Sequence, residues 1–253
     1  MRKSPRQASA EITKDTLMWR IILRRDLRVP LFTLAVASML GVALIAVRMV
    51  LTWRGQQLFL VWNLFLAWIP VALALWLEER DRRGLARGWR LWAAAFAWLM
   101  FFPNAPYILT DLKHLKLATR PHWWTDLIII LLFAFTGLVL AFLSLHRMHA
   151  LVARRRGWVA GWVFVVGVAF LSGFGVYLGR FERWNSWDVL AQPLAMAADV
   201  PNWFHYYAVK FTLLFGLLLA IAYAMLYSLT RLGTALRLPA WGRAEPRSQI
   251  IET

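Results

Sequence analysis

Residues 126–146 read DLIIILLFAFTGLVLAFLSLH, and this run decides the fold class. After Asp126 it carries no formal charge. As a helix it rises about 30 Å, the thickness of a bilayer's hydrocarbon core. Comparable runs recur on either side of it. Six spans are expected, at roughly 31–50, 58–77, 90–103, 126–146, 158–178 and 207–228. The third is short before its prolines and needs residues to about 107. The expected fold is all-α, a polytopic membrane helix bundle with six transmembrane helices. Composition agrees with that. Of 253 residues, 60% are hydrophobic and 17% charged, against about 45–50% and about 25% in soluble domains.

The absence of cysteine excludes disulfides, thiolate metal sites and cysteine nucleophiles. The net charge of +16 would suggest a nucleic-acid partner in a soluble chain. Here the arginines stand in short loops beside apolar spans, so the bilayer is the expected partner and nucleic acid is not. With alternate loops on opposite faces, the N-terminal arm, 78–90, 147–156 and the tail hold 21 of the 29 Lys and Arg. The other face holds 8: Arg48, Arg54, Lys113, Lys116, Arg120, Arg180, Arg183 and Lys210. The positive-inside rule then puts both termini in the cytoplasm. This gives a basic cytoplasmic arm over 1–30, a membrane domain over 31–228 and a cytoplasmic tail over 229–253. Part of the arm, around Met18–Leu23, is expected to lie along the membrane surface. Its basic region is too long, and the following apolar run long enough, to read as a spanning segment and not as a cleaved signal peptide. The tail from about Arg237 is expected to be loose.

Polar chemistry collects on the outer face, in two stretches. The first is 101–115, FFPNAPYILTDLKHL. Pro103 and Pro106 lack backbone donors and push the residues before them towards extended geometry, so the helix should end around Asn104. If the chain turns helical again, Tyr107, Asp111 and His114 share one face, with Leu109, Leu112 and Leu115 on another. The second is 179–188, GRFERWNSWD. Arg180, Glu182, Arg183, Asn185 and Asp188 alternate there with Phe181, Trp184 and Trp187. Asn185 or Ser186 suits a helix N-cap, with Asp188 early in the helix. A surface-lying segment limited by Pro193 fits better than a seventh span. PNWFHYY, 201–207, adds His205.

The leading expectation is a site for a polar or lipid-linked ligand between these loops. Asn104, Tyr107, Arg180, Glu182, Arg183, Trp184, Asn185 and Asp188 would bind it, and an anionic ligand would find Arg180 and Arg183 as clamps. Asp111 and His114 are the catalytic acid/base candidates. Asn63, Arg48, Lys210 and Asp126 point to the same face. Taken singly, Arg48 and Lys210 read as snorkelling residues and Asn63 as an interhelical hydrogen bond. Asp111, His114, Glu182, Asp188 and His205 lack metal-motif spacing, so no metal is expected. No cofactor can be named. Ser172 in the fifth span has no histidine in the last span to activate it, so an intramembrane serine protease is not expected. His146 and His149 read as headgroup contacts. Trp53, Trp62, Trp76, Trp89, Trp123, Trp124, Trp158 and Trp203 read as an interfacial belt. Small-solute transport and a non-catalytic scaffold are the alternative functions; transport lacks an inverted repeat and a charge deep in the bilayer.

At PNAPYILTDLKHL and GRFERWNSWD the chain resembles a family of bacterial multi-pass membrane proteins catalogued as domain of unknown function 1361, over about residues 35–230. The resemblance implies a bacterial integral membrane protein and assigns no reaction, substrate or cofactor.

Overall fold

The computed structural model describes residues 25–52, 57–85, 88–117 and 123–235. The surface-lying arm, the loose tail, Trp53, Arg54 and Arg120 lie outside them. Six helices are long and apolar enough to cross a membrane. They are α1 (Arg25–Thr52), α2 (Leu58–Arg82), α3 (Trp89–Phe101) with its broken continuation, α5 (Trp123–Arg156), α6 (Trp158–Tyr177) and α9 (Tyr206–Ala235). The continuation of α3 is α4 (Asn104–Tyr107), then a 3-10 helix over Ile108–Leu117. After α6 come a π-turn (Leu178–Glu182), α7 (Asp188–Ala191), α8 (Pro193–Asp199) and a 3-10 turn (Val200–Trp203). All six expected spans are present, most of them longer than their apolar runs, because helical hydrogen bonding carries on into the charged flanks.

The central helix is α5. It packs on α2, α6, α1 and the 3-10 helix, and buries Ile129, Phe133, Leu140 and Leu145. At about 1.5 Å per residue its 34 residues exceed the hydrocarbon thickness, so its Arg154–Arg156 end projects beyond it. A single residue, Gly157, then reverses the chain into α6 at φ +92°, a conformation that favours glycine.

Outer helices keep large apolar side chains exposed, among them Phe32 and Met39 on α1 and Leu214 and Leu217 on α9. Lipid is the solvent that suits them, and packing between such helices then depends on close fit. Gly173 meets the Thr212 carbonyl of α9, where a Cβ would come within 2.7 Å of it. Gly175 does not share that contact. It faces Pro103, and Gly179 of the π-turn faces the Tyr107 ring, so these glycines serve two neighbours.

Ion pairs close both ends of the bundle. At one end Arg48 pairs with Asp126 through both carboxylate oxygens, tying α1 to α5. This corrects the snorkelling expectation: Arg48 turns inwards because a buried carboxylate sits across from it. At the other end Asp81 takes Arg155 at 2.6 Å and Arg154 at 3.3 Å, and Arg82 donates to the buried Glu78. His149 is not a headgroup contact. It is buried, 2.7 Å from the Tyr223 hydroxyl, among the rings of Trp162, Tyr223 and Tyr227. Trp203 likewise leaves the expected belt and is buried, while Trp89, Trp124 and Trp158 are exposed as a belt requires.

Candidate functional site

Both prolines interrupt the backbone pattern without extending it. Phe102 and Pro103 stay right-handed helical, at φ −56°, ψ −41° and φ −59°, ψ −24°. The expected extended geometry is absent, and other hydrogen bonds tie the helical corner together. The Asn104 amide donates to the Phe101 carbonyl at 3.0 Å, and the Phe102 carbonyl accepts from Ala105 N–H at 3.2 Å. Gly137 of α5 lets this corner approach, with the Ala105 carbonyl 2.8 Å from where a Cβ would stand.

Beyond the corner the helix winds tighter. With about three residues per turn, Ile108, Asp111 and His114 stack in one column. Tyr107 therefore leaves the face it was expected to share with them. Leu109, Leu112 and Leu115 pack on the core as expected. The Asp111 side chain is fully buried. One of its oxygens pairs with Arg180, and the other accepts from the Asn63 amide of α2 at 3.0 Å. The Arg180 guanidinium also donates to Thr110 Oγ1 at 2.9 and 2.5 Å, and lies over the Tyr107 ring at 4.1 Å. The two polar stretches thus meet, and Asn63 ties a third helix to them. A charge at this depth loses hydration, and only such a partnered arrangement holds it.

The π-turn aims Arg180 inwards. Its wider turn is followed by Arg183 at φ +62°, a left-handed conformation that costs about 1 kcal/mol in a non-glycine residue. Arg183 itself is exposed and takes no part in the buried pair. Glu182 also turns away, accepting from the Tyr177 hydroxyl at 2.7 Å; that hydroxyl lies 3.2 Å from His205 Nε2. Asp188 accepts from the Asn185 backbone and amide at 2.6 and 3.1 Å. Neither Asn185 nor Ser186 caps α7, because Ser186 is used elsewhere. Its hydroxyl donates to the Met100 carbonyl at 2.8 Å and accepts from the Asn104 amide at 2.9 Å. The indoles of Trp184 and Trp203 both donate to Asp199, at 2.9 and 3.0 Å.

Between α2, α3, α6 and α7 lies a cavity of about 270 Å³. Its polar wall is Asn63, Asn104, Tyr107, Asn185 and Ser186; Trp62, Leu99, Phe174 and Trp184 are among its apolar lining. Asp111 and Arg180 are not on that wall. They stand behind it, fixing Asn63 by hydrogen bond and Tyr107 by stacking. His114 is off the wall too. Its ring Nδ1 is 3.1 Å from the Asp111 carbonyl and 3.7 Å from a carboxylate oxygen, and its ring packs on Phe59. Sequence reasoning left Ser186, Thr110 and Trp62 out of the site. Asn63, an amide inside an apolar run, was the legible signal on α2. Among the described residues no three His, Asp or Glu side chains group as a metal would need.

No curated protein and no solved structure matches the chain. A family model described as "Protein of unknown function (DUF1361)" matches residues 62–222, which takes in both polar stretches and all of the cavity wall and leaves α1 outside. With six helices long and apolar enough to cross a membrane, the chain belongs to that family.

Proposed function

We propose that the protein binds the polar head of a lipid or lipid-linked molecule in the cavity beside the Asp111–Arg180 pair. The cavity itself carries this reading. Its wall pairs amide and hydroxyl groups with indoles and aliphatic side chains, which suits a ligand polar at one end and apolar at the other. Its volume falls just below the roughly 300–1,000 Å³ of small-molecule sites, enough for a headgroup and not for a whole lipid. Asn104, Tyr107, Trp184 and Asn185 touch the ligand in this scheme. Asp111 and Arg180 are positioning residues, and Glu182 and Asp188 hold the loop.

The same proposal puts this end of the bundle outside the cytoplasmic membrane of a bacterium, with both termini inside. The 21-to-8 distribution of Lys and Arg supports that orientation. The chain has no cysteine, so single cysteines give clean probes. Lys116→Cys and Asp199→Cys are expected to react with an impermeant thiol reagent in intact cells, and Arg83→Cys and Arg155→Cys only after lysis. The reverse pattern would invert the protein and move the cavity to the cytoplasm.

Ligand binding is tested by native mass spectrometry of protein extracted in mild detergent. Val189, partly buried on α7, lines the cavity. Val189→Trp should fill it and remove a bound adduct that the wild-type chain retains. An adduct of unchanged mass and occupancy in Val189→Trp contradicts the proposal.

A further inference from the structure

At the far end of the bundle from the Asp111–Arg180 pair, α1 and α9 flank α5 and leave a groove of about 770 Å³. Leu34, Ala37, Phe135, Val139, Phe142 and Leu226 are among its apolar walls. Along α5 it runs from Leu132 to His146, about 21 Å at the helical rise, longer than the half-thickness of about 15 Å that one leaflet's acyl chains occupy. It does not end blind. His146, Tyr227 and Thr230 also line a second cavity of about 510 Å³, closed by His149, Arg154, Trp158 and Arg231. The groove is apolar along its length, and the cavity that adjoins it through these three residues is lined by Arg154 and Arg231.

Among the described residues, positive charge exceeds negative charge at the mouth. No Asp or Glu among the described residues lines either cavity. Arg231 donates to the Tyr227 hydroxyl at 3.1 and 2.5 Å, and lies over that ring at 5.1 Å. Among the described residues no carboxylate pairs with it. Arg154 shares one carboxylate, Asp81, with Arg155, so that cluster keeps a net positive charge. A hydroxyl and a ring hold the Arg231 guanidinium at the end of an acyl-sized groove without neutralising it.

We propose that this groove is a binding site for one anionic phospholipid, its acyl chains between α1, α5 and α9 and its phosphate and anionic headgroup against Arg231 and Arg154. The groove shares no wall residue with the cavity at the opposite end, so the two sites stand or fall separately. Shape alone would admit any lipid. Charge complementarity selects the anionic one, since each basic side chain near a membrane surface favours an anionic lipid about fivefold.

The test is native mass spectrometry of the full chain in detergent, titrated with phosphatidylglycerol or phosphatidylcholine of the same acyl chains. Phosphatidylglycerol is expected to bind about fivefold more tightly or better. Arg231→Gln should cut that preference about fivefold and leave phosphatidylcholine binding unchanged, and Arg231→Lys should restore it. Val139, exposed in the groove, gives the second arm: Val139→Trp should weaken both lipids. Both positions are exposed, so the variants should fold. Equal affinity for the two lipids overturns the proposal. So does a preference that survives both Arg231→Gln and Val139→Trp. A wild-type dimer that Val139→Trp dissociates would assign the groove to a second copy of the chain and overturn it as well.

Discussion

Replacing Asp111 with alanine is expected to destabilise the protein by about 3–5 kcal/mol, the cost of breaking a buried pair by removing one partner. The carboxylate is fully buried and the Arg180 side chain only 6% exposed, so the orphaned guanidinium has little water to turn to. Thr110 and the Tyr107 ring stay in place but carry no charge to answer it. The double variant Asp111→Leu with Arg180→Leu is expected to recover most of the loss, because two apolar side chains leave no buried charge behind. Thermal melting of wild type, both single variants and the double variant in one detergent measures the coupling. A single-variant cost within about 1 kcal/mol would mean that the pair is hydrated as a surface pair is, and its role as the brace behind the cavity wall would fall.

The Arg48–Asp126 pair is expected to give the second largest effect, about 3 kcal/mol for Asp126→Ala. The low end of the range applies for a geometric reason. Arg48 lies near the end of α1, its side chain is 12% exposed, and Thr52 stands within reach of its guanidinium at 3.5 Å. Released from Asp126, its long stem can carry the charge to the interface. Asp126→Asn should cost less than the alanine variant, since an amide oxygen can still accept from Arg48. Melting temperatures of both variants check the order. An Asp126→Ala loss equal to that of Asp111→Ala would show that Arg48 is trapped as firmly as Arg180.

The membrane class and the six spans were legible because they rest on one-dimensional quantities: run length and charge. The meeting of 101–115 with 179–188 was legible too, by a weaker argument. One carboxylate on a helix at a low-dielectric boundary needs a cation, and the second loop supplied two. Which cation it is was not legible. Arg180 and Arg183 differ by three positions, and only the π-turn, which leaves Arg183 left-handed and exposed, sets one inwards. The tightened 3-10 winding after Tyr107 was hidden for a similar reason. The pattern of polar residues fits a period of 3.6 or 3.0 over so few turns, and the proline corner decides between them. Ser186 was hidden because its partners, Asn104 and the Met100 carbonyl, are more than 80 residues away. Trp203 and His149 left their expected interfacial places because each found a hydrogen-bond partner inside the fold, the partly buried Asp199 and the buried Tyr223.

A density map of the protein reconstituted in nanodiscs of bacterial lipid tests the central claim most directly. The account predicts elongated non-protein density in the cavity, its polar end beside Asn104, Tyr107 and Ser186 and its apolar end against Leu99 and Phe174. A cavity closed by protein side chains, or holding only water, would contradict it.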